Sequence, residues 1–233
     1  MEKLIAKAPT FTFVGMQINV TSYIDVISSW CFWSEPTWAK LKERYEGRVE
    51  FQWKIALMDN KGMPTSREQL EWFYRRSGML NRSPFALRGD WYEHGPTEYL
   101  APNAIAEAGK DFGVKDDRIR LAIANACLRE GKLLGRWEVA AEVAAAASGL
   151  DKNKLLERAK SKDIEERVRR STGEFHALQV TQRPTFVVDT DIGDRAVFSG
   201  IVKLEPIAAT IDSMLDDGVQ YATHKAHFGD PPP

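Results

Sequence analysis

In the stretch Asp25-Val-Ile-Ser-Ser-Trp-Cys-Phe-Trp-Ser-Glu-Pro36 a β-branched run gives way to a helix pattern, and two hydroxyls (Ser28, Ser29) and one thiol (Cys31) stand at the junction. Backbone N–H groups and the helix dipole favour an anion at such a junction, a thiolate included, so the chemistry on offer is that of a stabilised sulfur. A second stretch, Val180-Thr-Gln-Arg-Pro-Thr-Phe-Val-Val188, places a proline directly before a buried strand with polar Arg183 in front of it, a setting that a cis X–Pro bond suits. Cys31 has a plainer reading as a small apolar packing residue, and Ser28 as a simple helix cap. Cys127, within Asn125-Ala-Cys-Leu128, reads as core.

The elements that must position these residues form three blocks. Ile18 to Ile27 reads as a strand buried on both faces, Ser34 to Glu46 as a helix opened by Pro36 and stopped by Gly47, and Val49 to Met58 as the next strand. Strand, helix and strand within about 40 residues make a βαβ unit. From Thr65 to Thr172 the pattern is helical: Gln69–Arg76, Asn103–Phe112, Lys115–Glu130, Arg136–Ala147, Lys152–Arg158 and Asp163–Leu178. Gly149 is placed as a C-cap and Asp151 as an N-cap, while the prolines and glycines of Ser83–Pro96 predict a loop. Strands then return at Thr185–Val188 and Arg195–Ser199, followed by a helix at Glu205–Leu215 and a polar tail, Gly218–Pro233, expected to be poorly ordered or draped on a partner. The expected fold is α/β: a thioredoxin-like domain over 18–62 and 175–217, split by an all-helical insertion over 65–172.

Composition narrows the function classes. Thirty-two Lys and Arg balance 33 Asp and Glu, leaving no basic excess to neutralise phosphates, so nucleic acid is not an expected partner. Two cysteines cannot build a disulfide framework, and four histidines do not make a rich metal site; His224 and His227 lack nearby ligands, so no metal is expected. No apolar run approaches the roughly 20 residues that span a membrane, and Lys3 and Lys7 break any signal-peptide pattern. The expected setting is the reducing cytoplasm, with a small-molecule substrate.

The order and separation of the two chemical stretches resemble the DsbA-like branch of the thioredoxin superfamily. That branch includes DsbA- and FrnE-type oxidoreductases, kappa-class glutathione transferases and 2-hydroxychromene-2-carboxylate isomerases. The resemblance covers Ile18 to Leu215 in four pieces: Asp25–Trp33, Leu128–Gly135 with Ala140–Asp151, Ala177–Phe186 and Val197–Gly200. It implies that Pro184 is the cis-proline facing the site and that Arg183 offers its backbone to a glutathione peptide. It also implies that Ser199 and Gly200 border the cofactor, that Lys61 stands where the kappa class has a glutathione-binding lysine, and that Asn103 matches a substrate-facing asparagine of the isomerases. A helix N-cap explains Asn103 equally well. The Arg183 side chain either attracts a substrate carboxylate or points to solvent.

Registered from Asp25, the position of the attacking cysteine is Ser28, and Cys31 takes the resolving one. A serine cannot form a mixed disulfide, so the two-cysteine cycle is closed. In the kappa class and the chromene isomerases a serine there hydrogen-bonds the bound glutathione sulfur. The resemblance therefore implies a glutathione-dependent (or other low-molecular-weight-thiol-dependent) isomerase or transferase acting on a small aromatic electrophile, with Ser28 and Cys31 at its centre; Trp30 and Trp33 are candidates to line a hydrophobic substrate cleft, although such aromatics are more often core. Relatives of this kind are often homodimers. The alternative register, Cys31-Phe-Trp-Ser34, gives a one-cysteine oxidoreductase similar to monothiol glutaredoxins, and a third reading is a redox-inactive binding protein.

Overall fold

The computed structural model describes residues 16–59, 62–93, 95–96 and 98–229. Four strands form one sheet: β1 (Ile18–Ile24), β2 (Glu50–Ile55), β3 (Thr185–Thr190) and β4 (Arg195–Ser199), in the order β2-β1-β3-β4. β1 runs parallel to β2, with Ser22 beside Trp53, and antiparallel to β3, with Ser22 beside Phe186. The parallel pair needs a crossover, and α1 (Ser29–Arg44) supplies it. Between β2 and β3 the chain builds α2 (Arg67–Leu80), α3 (Leu100–Gly109), a 3₁₀ turn (Lys110–Phe112), α4 (Arg118–Leu128), α5 (Trp137–Ser148), α6 (Lys152–Ala159) and α7 (Lys162–Ala177). After β4, α8 (Leu204–Phe228) closes the fold. The architecture is that of a DsbA-like thioredoxin fold, α/β with a mixed sheet.

Strand periodicity sorts the side chains. Ile18, Val20, Phe186 and Val188 point to one face and form a core with Trp38 and Leu41 of α1 and Ile207 and Ile211 of α8. Tyr23 and Val187 point to the other, against Phe175 of α7. The largest apolar cluster lies where α1 meets the helices, joining Ile27 and Cys31 to Trp91, Ile105, Ile123 and Leu128.

Three elements depart from the expectations, each for a local reason. β1 ends at Ile24, because the Asp25 side chain accepts from Ile27 N–H at 3.0 Å and its carbonyl from Ser28 N–H at 3.0 Å, which turns the chain out of the ladder. α1 then starts at Ser29, leaving Pro36 inside the helix instead of at its start. The tail is helical as far as Phe228: Gln220 to Ala226 contains no breaker, Gly229 (φ +75°) caps it, and at Gly218 a Cβ would stand 2.9 Å from that of Met16. Gly149 (φ +75°) and Asp151, accepting from Lys154 N–H at 2.9 Å, cap their helices as their types predict. None of the described helices is long and apolar enough to cross a membrane.

Candidate functional site

The β1–α1 junction is built around a buried carboxylate. Asp25 (1 % exposed) accepts from Ile27 N–H through Oδ1 and from Met58 N–H through Oδ2 at 2.9 Å, and it receives the Asn103 side chain as well. Burial raises its carboxyl above the ordinary value, opposed by those hydrogen bonds and by the charge of Arg183. Sequence reasoning used Asp25 only as a landmark; the signal that it is an anchor is an acid closing an otherwise apolar strand.

Ser28 is the N-cap of α1, and its Oγ accepts from Cys31 N–H at 3.4 Å. A capping hydroxyl that accepts still has its own proton to donate. Cys31 lies one turn into the helix and is 2 % exposed, against 7 % for Ser28. Burial pushes its thiol up to about 12, against a downward pull from hydrogen bonds with Ser28 and the Asp25 backbone. Cys127 is fully buried in the helical core, and burial, with Asp25 adding to it, raises its thiol too.

This geometry makes a test of thiol reactivity. Against an ordinary value of 9.0, a thiol at about 12 holds some 1000-fold less thiolate at neutral pH. Both cysteines should therefore resist iodoacetamide in the native protein and react in denaturant; rapid native labelling of Cys31 would overturn this picture. The unfolded chain sheds the Cys31 proton first, so its contribution to stability is whole below pH 9 and drains away as pH climbs towards 12. At pH 10.5 the loss amounts to about 2 kcal/mol. A Cys31→Ala variant should flatten that slope in urea unfolding.

The Arg183–Pro184 peptide bond is cis. The Arg183 guanidinium is part-buried and turned back onto the fold: Nε donates to Ala56 carbonyl at 2.5 Å, the terminal nitrogen to Leu57 carbonyl at 2.9 Å, and Cζ sits 4.4 Å from the Phe175 ring centre. Arg183 and Asp25 thus clamp the segment after β2 from two sides. The Arg183 backbone N–H and C=O have no hydrogen-bond partner among the described residues. Ser199 accepts from Thr185 Oγ1 at 3.3 Å, and Gly200 N–H donates to Pro184 carbonyl at 2.8 Å, so both border the proline loop.

Of the remaining candidates, Asn103 and Trp30 lie at the β1–α1 junction, and Trp33 packs beyond it. Asn103 is wholly buried inside the first turn of α3, whose N-cap is Tyr99; its Oδ1 accepts from Val26 N–H at 3.0 Å and its Nδ2 donates to Tyr99 carbonyl at 3.1 Å. It therefore ties the helical block to the β1–α1 loop, and its reading as an N-cap is corrected, because Tyr99 holds that place. Trp33 is half-buried; its Nε1 donates to Ser77 Oγ at 3.0 Å and its ring packs on Phe32 and Phe85, each at 5.4 Å. Trp30 is half-buried in the first turn of α1. Lys61 lies outside the described residues.

A buried ionic cluster that sequence reasoning missed sits behind α1. Arg120 (side chain 4 % exposed) forks onto Glu35 and reaches Asp117 at 2.7 Å; Asp117 also receives Lys42 and Trp38 Nε1. Its signals were Glu35, one turn beyond Cys31, and Arg120 inside the apolar run Ile119 to Ile123. No group of three or more His, Cys, Asp or Glu able to hold a metal is found among the described residues. A cavity of about 410 Å³ opens on the far face of the sheet beside Tyr23 and Lys54, and none of the candidate residues lines it.

Comparison with solved structures gives the same fold at low identity. A Nitrosomonas europaea protein provisionally assigned as a protein disulfide isomerase is similar at TM-score 0.72 and 14 % identity, covering 86 % of this chain and 98 % of that one. The cytosolic disulfide reductase DsbM of Pseudomonas aeruginosa follows at 0.69 and 16 %, covering 85 % and 98 %, and has also been solved with GSH, at 0.67 and 15 %, covering 85 % and 99 %. No curated protein matches the sequence. Residues 19–212 match the DSBA-like thioredoxin domain from β1 to midway along α8, and with both the sheet order and the proline loop in place the chain belongs to that family.

Proposed function

We propose that this chain binds a low-molecular-weight thiol, glutathione in the first place, at the N-terminus of α1 and turns over a small aromatic electrophile by isomerisation or transfer. The observation that carries the reading is the contrast at that helix start: the chain's own thiol, Cys31, is sealed and held up to about 12, while the capping Ser28 already turns its hydroxyl to that sulfur, a hydrogen bond that a guest thiolate could take over. A site that stabilises a thiolate yet lacks a usable one needs the sulfur brought to it, and the bound thiol would supply that nucleophile. The residues present fit such a guest. Ser28 would hold its sulfur, the unpaired N–H and C=O of Arg183 would pair with its peptide backbone as an added strand does, and Ser199 and Gly200 would border it. Support also comes from DsbM, a cytosolic protein solved with GSH, and the reading places this chain in the same reducing setting.

Titration calorimetry tests this. Glutathione should bind the wild type, bind Cys31→Ala equally, and bind Ser28→Ala about 10-fold or more weaker, the worth of a hydrogen bond to a charged sulfur. No binding to any of the three would sink the reading. The neighbours' names favour a second one, a one-cysteine oxidoreductase working through Cys31, and fast native alkylation of Cys31 would move the assignment there.

A further inference from the structure

The surface beside the Trp33–Phe85 pair carries a groove that the thiol site does not use. It holds about 390 Å³ between α2 and the loop that follows, with Tyr74, Gly78, Met79, Pro84 and Phe85 in its walls and Arg75 and Arg82 among them. Along α2 the apolar surface continues at helical spacing: Trp72 is 52 % exposed, Met79 80 % and Leu80 66 %. Exposed Trp and Met interleaved with Arg is the composition of a protein-binding patch, not of an idle solvent face.

The charges there are unusual for this molecule. Nearby Arg67 and Arg88 are paired with Glu71 and Asp90, and Glu130 with Lys132. Arg75, Arg76, Arg82 and Arg129 have no carboxylate partner among the described residues. Arg76 instead stacks over Trp72 at 5.2 Å and Arg129 over Phe85 at 3.5 Å, which holds the guanidinium planes at the apolar surface. Arg82 also occupies the left-handed region (φ +49°) just past the end of α2, where its N–H donates to Met79 carbonyl. That conformation sets the Arg82 side chain at the end of α2, in the wall of the groove.

We propose that this groove docks an acidic segment of a partner polypeptide, with one apolar side chain seated between Tyr74 and Phe85 and flanking carboxylates meeting the four arginines. The proposal does not depend on the thiol reading. Its test is selection from a random 12-residue peptide display library on the immobilised wild type and on an Arg75→Glu/Arg82→Glu double variant. Peptides with two or more Asp or Glu beside a Leu, Met or Phe should be enriched on the wild type. The best of them, made synthetically and followed by anisotropy, should bind about 10-fold or more weaker to the double variant and weaken with added salt. Arg82→Gly should also weaken binding while keeping the thermal midpoint at or above the wild-type value, which separates a docking role from a folding one. Enrichment of neutral or basic peptides, no enrichment, or equal binding by the variants would overturn the proposal. So would a wild-type dimer that the double variant breaks, which would assign the groove to a second copy of the chain.

Discussion

The Ser28→Cys variant is expected to reduce insulin disulfides in the presence of dithiothreitol at a rate at least 10-fold above the wild-type chain, which should do no better than dithiothreitol alone. In the wild type the one thiol at the helix start is held up to about 12, so at pH 7 only about one molecule in 100,000 carries a thiolate there. Position 28 differs from position 31 in two respects that matter. It caps α1, where first-turn N–H groups converge, and it keeps more of its surface open, 7 % against 2 %. A thiol placed at such a helix start falls to about 3.5–7.5, which restores thiolate by several orders of magnitude. Ser28 already hydrogen-bonds the Cys31 backbone and thiol, so the introduced sulfur would have Cys31 as its resolving partner. Mass spectrometry should then find an intramolecular disulfide. A variant that forms none, and matches the wild type in rate, would show that the cap is closed to solvent and would remove Ser28 from the site.

The frame of this site was legible because it is written in local patterns. The β-branched runs at Ile18 and Thr185, the helical periodicity between them and the caps at Gly149 and Asp151 are each set by a few neighbouring residues. Where the reading went astray, a partner outside the immediate pattern decides, close by for Pro36 and distant in sequence for two polar residues. Pro36 suggested a helix start because proline is common there, yet the fold keeps it inside α1, with Ser34 Oγ donating to Cys31 carbonyl at 2.7 Å, because Ser28 caps the helix two turns earlier. Arg183 looked like a charge beside the site, but two of its donors go to the carbonyls of Ala56 and Leu57, more than 100 residues away. Asn103 looked like a helix opener or substrate contact and proves to be a buried tether to Val26. For Arg183 and Asn103 the residue type announced a polar role, and only tertiary placement could name its partner.

The same logic gives the largest stability effect, at Arg120. This guanidinium lies in the core between α1 and α4 and bonds two carboxylates at once, Glu35 through a bidentate fork and Asp117 at 2.7 Å. Burial alone would lower its affinity for a proton, but Glu35 and Asp117 outweigh that and hold it charged. Arg120→Met removes the shared cation and leaves Glu35 with no other cation in direct contact among the described residues, whereas Asp117 retains Lys42 and Trp38. Removing one partner of a buried ion pair costs about 3–5 kcal/mol, which for a chain of this length is roughly 10 °C of thermal midpoint. The size of the pH dependence distinguishes the variant. Burial already raises the Glu35 carboxyl, and without Arg120 it rises further. A carboxyl whose folded value exceeds its unfolded one stabilises below the unfolded value and loses that contribution as pH rises through the folded one. Arg120→Met should therefore gain stability from pH 7 to pH 5. The wild type should gain less over that range, because Arg120 opposes the rise at Glu35, while Asp90, Asp111, Asp116 and Asp117, held low by arginine hydrogen bonds or by cations that outweigh burial, withdraw their contribution only below about pH 4. Adding Glu35→Gln to Arg120→Met should recover much of the loss and abolish the added slope, since no unpaired acid then remains behind the helix. Because Glu35 sits one turn beyond Cys31 on α1, the two single variants should also shift the native exchange rates of amide protons at the helix start, whereas a substitution acting only on α4 would leave those rates alone.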